Sequence, residues 1–408
     1  MENDINSALA LLKQGQAPGN RQILQEISVG SDFILDFWKD KYLANYLSRG
    51  GSKIKFLTGR TGSGRTHFLE LLAIEAEKMG YIPVSLSARD VWLHDFREIY
   101  VAILRQVNLM ERLKLCCGEV IRQLGYDPAV IPESMNFSDY LSSQGQLDPL
   151  TKREIRHQLD QLFLANPLID NNFALACSLL TGGLLGHPTL EEPSRQLLLL
   201  WLAGSREARL PSLRRLGLSP SRITKYNARH MLRSLVEVCR LAGYQGLVIS
   251  IDDMEILVGA DSTETIRYTR LKREDAYESI RELIDEIDTL KNTLFVFSFE
   301  RSLMDNDKAG LKSYQALWMR IQNEIEGARF NRFADIVDLD RLIEEVYTPE
   351  IMVEMSARLA SVINRLDEGA RPITLSTAEE LHARARFGKV SLPRQVNRTT
   401  VREGGAAQ

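Results

Sequence analysis

The sequence predicts an α/β protein with a parallel-sheet core, a large helical insertion and a small helical C-terminal region. Three observations carry that expectation. Residues 53–87 read as strand, glycine-rich loop, helix and strand, the opening of a parallel α/β unit. Gly246–Ile251 is an almost wholly apolar run that ends in Asp252-Asp253 and reads as a buried strand. Between these two stretches, 96–245 is rich in Leu and Arg and carries helical patterns.

Residues 1–50 form a helical lead-in. Ile34, Phe37, Trp38, Tyr42, Leu43 and Tyr46 recur at helical spacing, and Arg49-Gly50-Gly51 ends the run. Residues 51–95 open the α/β core. Lys53–Thr58 is a strand, Phe68, Leu69, Leu72, Ala73 and Ala76 share one helix face, and Gly80 stands where a C-cap belongs. Tyr81–Ser87 is a second strand, placed at an edge or a strand start by Pro83. The insertion, 96–245, has helical segments near 96–125, 150–165, 195–203 and 227–242, with turn clusters at Gly183–Pro188 and Leu216–Ser221. The core resumes over 246–342. Ala276, Ile280, Leu283, Ile284, Ile287 and Leu290 trace a helical stripe, Thr293–Phe299 is a buried strand, and Ile336–Leu339 is a short one. Residues 343–403 form a helical, lid-like region that starts at Thr348-Pro349 with an N-cap and Pro at N1. The tail 404–408 is expected to be disordered.

Composition excludes several classes. With 408 residues there is room for two or three domains at about 100–200 residues each. The net charge of −3 argues against wholesale coating of nucleic acid, though not against a local basic surface. The longest apolar run, Leu197–Ala203, is far short of the roughly 18 residues of a membrane span. The acidic start Met1-Glu-Asn-Asp predicts no signal peptide. Cys116, Cys117, Cys177 and Cys239 show no CxxC spacing, so neither a disulfide scaffold nor a cysteine zinc site is expected. These features predict a reduced, cytoplasmic protein with no membrane association.

The sharpest motif is Gly59-Arg-Thr-Gly-Ser-Gly64-Arg65-Thr66, which has the spacing G-x-x-x-x-G-K-[ST] with Arg in place of Lys. Glycines let successive amides turn inward around a phosphate, and the helix that follows points its positive end at the same anion. Gly59, Thr61, Gly62, Ser63, Gly64, Arg65, Thr66 and His67 make up the expected ATP cradle. Arg65 reaches the β- and γ-phosphates, and Thr66 places its hydroxyl on Mg²⁺. Arg is a planar fork with a longer reach than Lys, so binding is expected to survive while turnover is slow or absent.

Asp252 is expected to hold the Mg²⁺ shell from the end of its strand, and Asp253 to activate water, with Glu255 two positions on. Ser298 or Glu300, at the polar end of the later strand, sits where ligands bind in such sheets and is a candidate sensor of the γ-phosphate. Arg320 is a candidate finger offered to a neighbouring subunit, and Arg394 a candidate lid arginine. Seven basic residues between Arg206 and Arg229 face one acid, Glu207, and six between Arg384 and Arg402 face none. Both stretches are candidate DNA contacts. Tyr226 is the only aromatic within the first.

The loop, the paired aspartates and the strand end at 294–300 resemble an AAA+ type P-loop ATPase of the origin-recognition/STAND branch. Ser28-Val-Gly-Ser-Asp32, Ala242-Gly-Tyr-Gln-Gly-Leu-Val248 and Ala309-Gly-Leu-Lys-Ser-Tyr-Gln-Ala-Leu-Trp-Met-Arg320-Ile are similar, more narrowly, to the ATP-binding proteins of BREX-type bacterial phage-defence systems. The likeness covers roughly residues 20–340. It implies an AAA+-like ATP-binding core, oligomerisation, partner subunits of a defence complex and association with DNA. The sequence departs from the family at Arg65, where Lys is expected, and at Asp253, where Glu is common. The expectation is therefore an ATP-dependent switch with weakened hydrolysis. The alternative is a nucleotide-bound scaffold that assembles partners without turnover.

Overall fold

A computed structural model describes residues 2–30, 32–259, 266–322, 331–365, 369–385 and 390–405. Five strands form one all-parallel sheet: β1 (Ser52–Gly59), β2 (Ile82–Ser87), β3 (Leu247–Asp252), β4 (Thr293–Glu300) and β5 (Ile336–Asp338). Their order is β2-β3-β4-β1-β5. The expected α/β class holds, and β2 with its Pro83 is an edge strand. Because β1 lies between β4 and β5, the chain's crossovers part around it. The C-terminal ends of β1 and β4 meet there, with Gly59 beside Glu300. Such a switch point opens a crevice above the strand ends.

Alternation sorts the strand residues onto two faces. Ile54, Phe56, Phe295, Phe297 and Phe299 face the helices between β2 and β3, and share one continuous core with them. Phe297 stacks on Phe56 at 5.5 Å and on Phe295 at 6.1 Å between ring centroids. Leu57, Leu294, Val296 and Val248 face the other way, against Phe68, Leu69 and Leu72 of the helix Arg65–Lys78.

Eight α-helices lie between β2 and β3. The helix expected over 96–125 is two, Phe96–Val107 and Leu109–Gln123, because Asn108 takes a left-handed φ of 53°. Asn171–Leu185 is a helix that periodicity missed, since apolar residues surround it and leave no stripe. It runs through Gly183, where a turn was expected, and ends at Gly186 with φ 80°. In the lead-in, Asp32–Trp38 passes into π-helical turns over Lys39–Leu47. The wider turn shifts the register, so Leu47 is buried and Tyr46, expected on the stripe, is 44% exposed.

The first and last parts of the chain meet. Ala8, Leu9, Leu12 and Ile23 pack with Leu359, Ala360, Val362 and Ile363 of the helix Pro349–Ile363. That helix begins as the sequence indicates, with the Thr348 hydroxyl facing the Ile351 amide at 3.5 Å. The last helix, Leu392–Gly405, continues two residues into the tail expected to be disordered; 406–408 lie outside the described residues. No helix among the described residues is long and apolar enough to cross a membrane.

Phe297→Ala removes a fully buried ring from the centre of the sheet core. It is expected to lower the unfolding free energy by about 3–5 kcal/mol, read from the shift of the urea midpoint at constant slope.

Candidate functional site

Gly59 ends β1 where no side chain fits, since a Cβ there would lie 2.4 Å from the Ser63 hydroxyl. Gly62 and Gly64 turn the loop with φ of 81° and 86°. Gly64 then caps the helix Arg65–Lys78 without any side-chain acceptor. The first-turn amides and the positive end of a 14-residue helix therefore face the crevice. Such an arrangement suits an anion, and Thr61 to His67 line a cavity of about 510 Å³ above it.

The loop is pinned from one side by Asp340, which is 2% exposed. Its carboxylate accepts the Arg60 amide at 2.6 Å and the Ser391 hydroxyl at 2.8 Å, and pairs with the Arg60 guanidinium at 3.2 Å. The Ser391 amide donates to the Thr61 carbonyl at 3.1 Å, and Thr61 bridges Val390 in parallel. Sequence reasoning missed Asp340 and Ser391, because nothing local marks a partner some 280 residues away.

On the other side, the Thr66 hydroxyl donates to Asp252 Oδ2 at 2.7 Å, so the two expected metal-side groups meet. Arg65 Nη1 stands 3.3 Å from Glu255 Oε2, which also accepts the Glu300 amide at 2.9 Å. Asp253, in a left-handed conformation at φ 62°, is turned toward β2. Its carboxylate accepts the Ser87 hydroxyl at 2.7 Å and lies 3.4 Å from Arg89 Nε. Ser87 and Arg89 carried no signal in the sequence. Glu70, one helical turn after Thr66, lines the cavity. Burial, and then the nearby Asp252, raise its pKa. Its spacing of four from Thr66 was a legible sign that went unread.

His67 meets Ser28 Oγ at 2.7 Å. Ser28 donates to the Leu24 carbonyl at 2.5 Å, so His67 Nε2 must carry the proton. Burial pushes the His67 pKa down to about 4.

The structure separates other expected groups. Ser298 is buried inside β4 beside Leu57 and does not line the cavity, and among the described residues its hydroxyl has no partner. Glu300, at the strand's end two residues on, instead accepts the Thr61 hydroxyl at 2.5 Å. Arg320 is outside the cavity and grips Asp285 of its own chain at 2.6 and 3.0 Å. Arg394 does reach the loop, and its stem packs directly over Gly62.

Of the seven basic residues between 206 and 229, Arg206, Arg209, Arg214, Arg215, Arg222 and Lys225 are exposed. Among the described residues, none of these six pairs with a carboxylate. Arg229 leaves the patch, because it is buried and binds Glu282 and Glu286, each at 2.7 Å. Tyr226, 79% exposed, stands among the six. The 384–402 stretch is not one surface. Arg394 turns into the cavity and Arg384 pairs with Glu380, while Arg398 is exposed. Arg386 and Lys389, and the side chain of Arg402, lie outside the described residues.

The chain matches the family described as "BREX system ATP-binding protein BrxC/D" over residues 2–403, and it belongs to that family. No curated protein matches it. ATP binding and a phage-defence setting follow from that membership.

A neutral His67 makes stability depend on pH in a fixed direction. Its pKa is about 4 in the folded protein and 6.5 in an unperturbed histidine. The stability is therefore complete above 6.5 and is lost as pH falls toward 4, where only the unfolded chain takes up the proton. His67→Gln is expected to flatten that part of a stability–pH curve measured by denaturant titration.

Proposed function

Starting from an ATP-binding protein of a phage-defence system, we propose a nucleotide switch that acts on or near DNA with partner subunits. The observation that carries the reading is the Thr66–Asp252 contact at the mouth of an amide-lined loop. Gly62, Gly64, Arg65 and Thr66 bind the triphosphate, and Arg394 closes on it from the C-terminal region. Thr66 and Asp252 are hard oxygen donors of the kind Mg²⁺ prefers. Among the described residues, no group of three or more His, Cys, Asp or Glu is built to hold a metal alone. That fits an ion carried in with the phosphates, where it would neutralise their charge. Asp253 is the water-activating base once it leaves Ser87 and Arg89. Binding of ATP draws Arg65 from Glu255 and moves the helices around the loop, which changes the surface offered to partners.

A second reading, a scaffold that holds ATP without hydrolysing it, is favoured by the same contacts. Arg65 is neutralised by Glu255, and Asp253 is occupied by Ser87 and Arg89. In the switch reading, neighbouring subunits assemble around the nucleotide, and Arg320 serves a neighbour only after releasing Asp285. DNA is held by the six exposed cations between Arg206 and Lys225.

Purified protein is expected to release phosphate from ATP slowly, and Asp253→Asn to abolish that release, in a coupled phosphate assay. No release from the parent protein selects the scaffold, and release unaffected by the substitution overturns Asp253 as the base. For DNA, the double variant Arg214→Glu, Arg215→Glu is expected to weaken duplex binding. It should reduce the slope of log affinity against log salt by about 2, measured by fluorescence anisotropy across a salt series.

A further inference from the structure

The fold brings aromatic rings to a basic surface that the sequence leaves almost without them. Arg206, Arg209, Arg214, Arg215, Arg222 and Lys225 are exposed, and Tyr226 beside them is 79% exposed. Lys225 Nζ stands 5.3 Å from the centre of the Tyr226 ring. The segment that leads from β2 into the helix Phe96–Val107 lies alongside, since Asp95 and Arg97 line one cavity of about 230 Å³ with Arg206, Arg222 and Lys225. Three more rings gather there. Trp92 meets His94 and Tyr268 edge-on, with centroids 5.0 and 5.2 Å apart. Lys272 Nζ rests over the Trp92 ring, 3.9 Å from its centroid. Among the described residues, Lys272 pairs with no carboxylate. His94 feels the charges of both Lys225 and Lys272, so the ring cluster adjoins the patch. Asp95 and Asp275 also stand near it. Asp95 is engaged by the Arg97 amide, which its carboxylate accepts at 3.0 Å.

Charge alone favours a duplex here. A double helix carries one phosphate charge per about 1.7 Å of axis, against one per about 3.4 Å for each strand. A purely cationic surface therefore holds the duplex better. Rings act the other way. A base inside a duplex is covered on both faces by its neighbours, whereas an unpaired base can lay a face on an aromatic side chain. Tyr226 offers such a face to solvent, and cations flank it that can reach the phosphates on either side. Trp92 is half-buried, and one of its faces is held by an ammonium. A phosphate is a stronger partner for that ammonium than a ring, so Lys272 can yield the face to a base.

We propose that this surface takes single-stranded DNA in preference to duplex, with one unpaired base stacked on Tyr226 and a second on Trp92. Lys225, Lys272 and the arginines of the patch hold the phosphates. The inference rests on the DNA reading above and narrows its substrate to strands with unpaired bases. Stacking of this kind tolerates any sequence, because every base has a π-face.

The test compares a labelled oligothymidylate with a duplex of the same length by fluorescence anisotropy at one salt concentration, using the full chain. The parent protein is expected to bind the single strand about 10-fold more tightly. Tyr226→Ala should lose about 10-fold in affinity for the single strand and keep its affinity for duplex, which also shows that the variant is folded. Tyr226→Phe keeps the ring and should bind the single strand as the parent does. Trp92→Leu keeps an apolar side chain without a π-face and should likewise weaken only the single strand. An unchanged single-strand affinity in either Tyr226→Ala or Trp92→Leu overturns the proposal. So does a loss shared equally with duplex, or a parent protein that prefers duplex; the cationic DNA surface then stands without the rings. If the parent protein binds neither, the DNA reading itself is wrong and the stacking falls with it.

Discussion

A single buried carboxylate holds the working end of this molecule together. Asp340 is nearly inaccessible, and such a charge is tolerable only when donors surround it. The Arg60 amide and guanidinium and the Ser391 hydroxyl supply them. In doing so they tie the end of β1, the start of the helix Leu339–Val346 and the approach to the last helix into one knot. The loop's backward turns at Gly62 and Gly64 rest on that anchorage, and so does the position of Arg394 above them. The cavity exists because the two ends of the chain are brought over the loop by this knot and by the small core shared by Leu9, Leu12 and Leu359.

The crevice is rich in acid for a site proposed to take a phosphate. Asp252, Asp253, Glu255 and Glu300 all gather near the loop, yet each is engaged by a specific donor. Thr66 holds the first, Ser87 and Arg89 the second, Arg65 and the Glu300 amide the third, and Thr61 the fourth. This ring of paired acids keeps the loop's amides open toward the cavity. It also explains how Arg can stand where a lysine is usual. A guanidinium has the reach to span from the helix start to Glu255, and its fork is held by a carboxylate until a stronger anion competes.

The patch between Arg206 and Lys225 follows different rules. Its cations lack carboxylate partners among the described residues and point to solvent, whereas Arg229, close in sequence, is drawn inward by Glu282 and Glu286. The helix Ala228–Leu241 turns Arg229 toward the helix Arg270–Leu290, so two basic residues four apart, Lys225 and Arg229, belong to different environments.

Much of the fold was legible because it is written in neighbouring residues. Strand β3 and its aspartates, the glycine spacing of the loop, the stripe on Arg270–Leu290 and the Thr348 cap each depend on side chains a few positions apart. Where local signals misled, a local conformation was responsible. Asn108 in a left-handed turn split one helix, and π-helical turns moved Tyr46 off its stripe. The sequence by itself determined the parallel core, the glycine-turned loop and the Thr66 and Asp252 pair, since backbone turns and strand ends follow from short-range chemistry. Tertiary structure alone decided that Glu255 faces Arg65, that Asp253 is held by Ser87 and Arg89, that Asp340 joins the loop to Ser391, and that Arg394 lies over Gly62. Those pairings join residues up to about 280 positions apart, and only the packing of helices from both ends of the chain sets which of them meet.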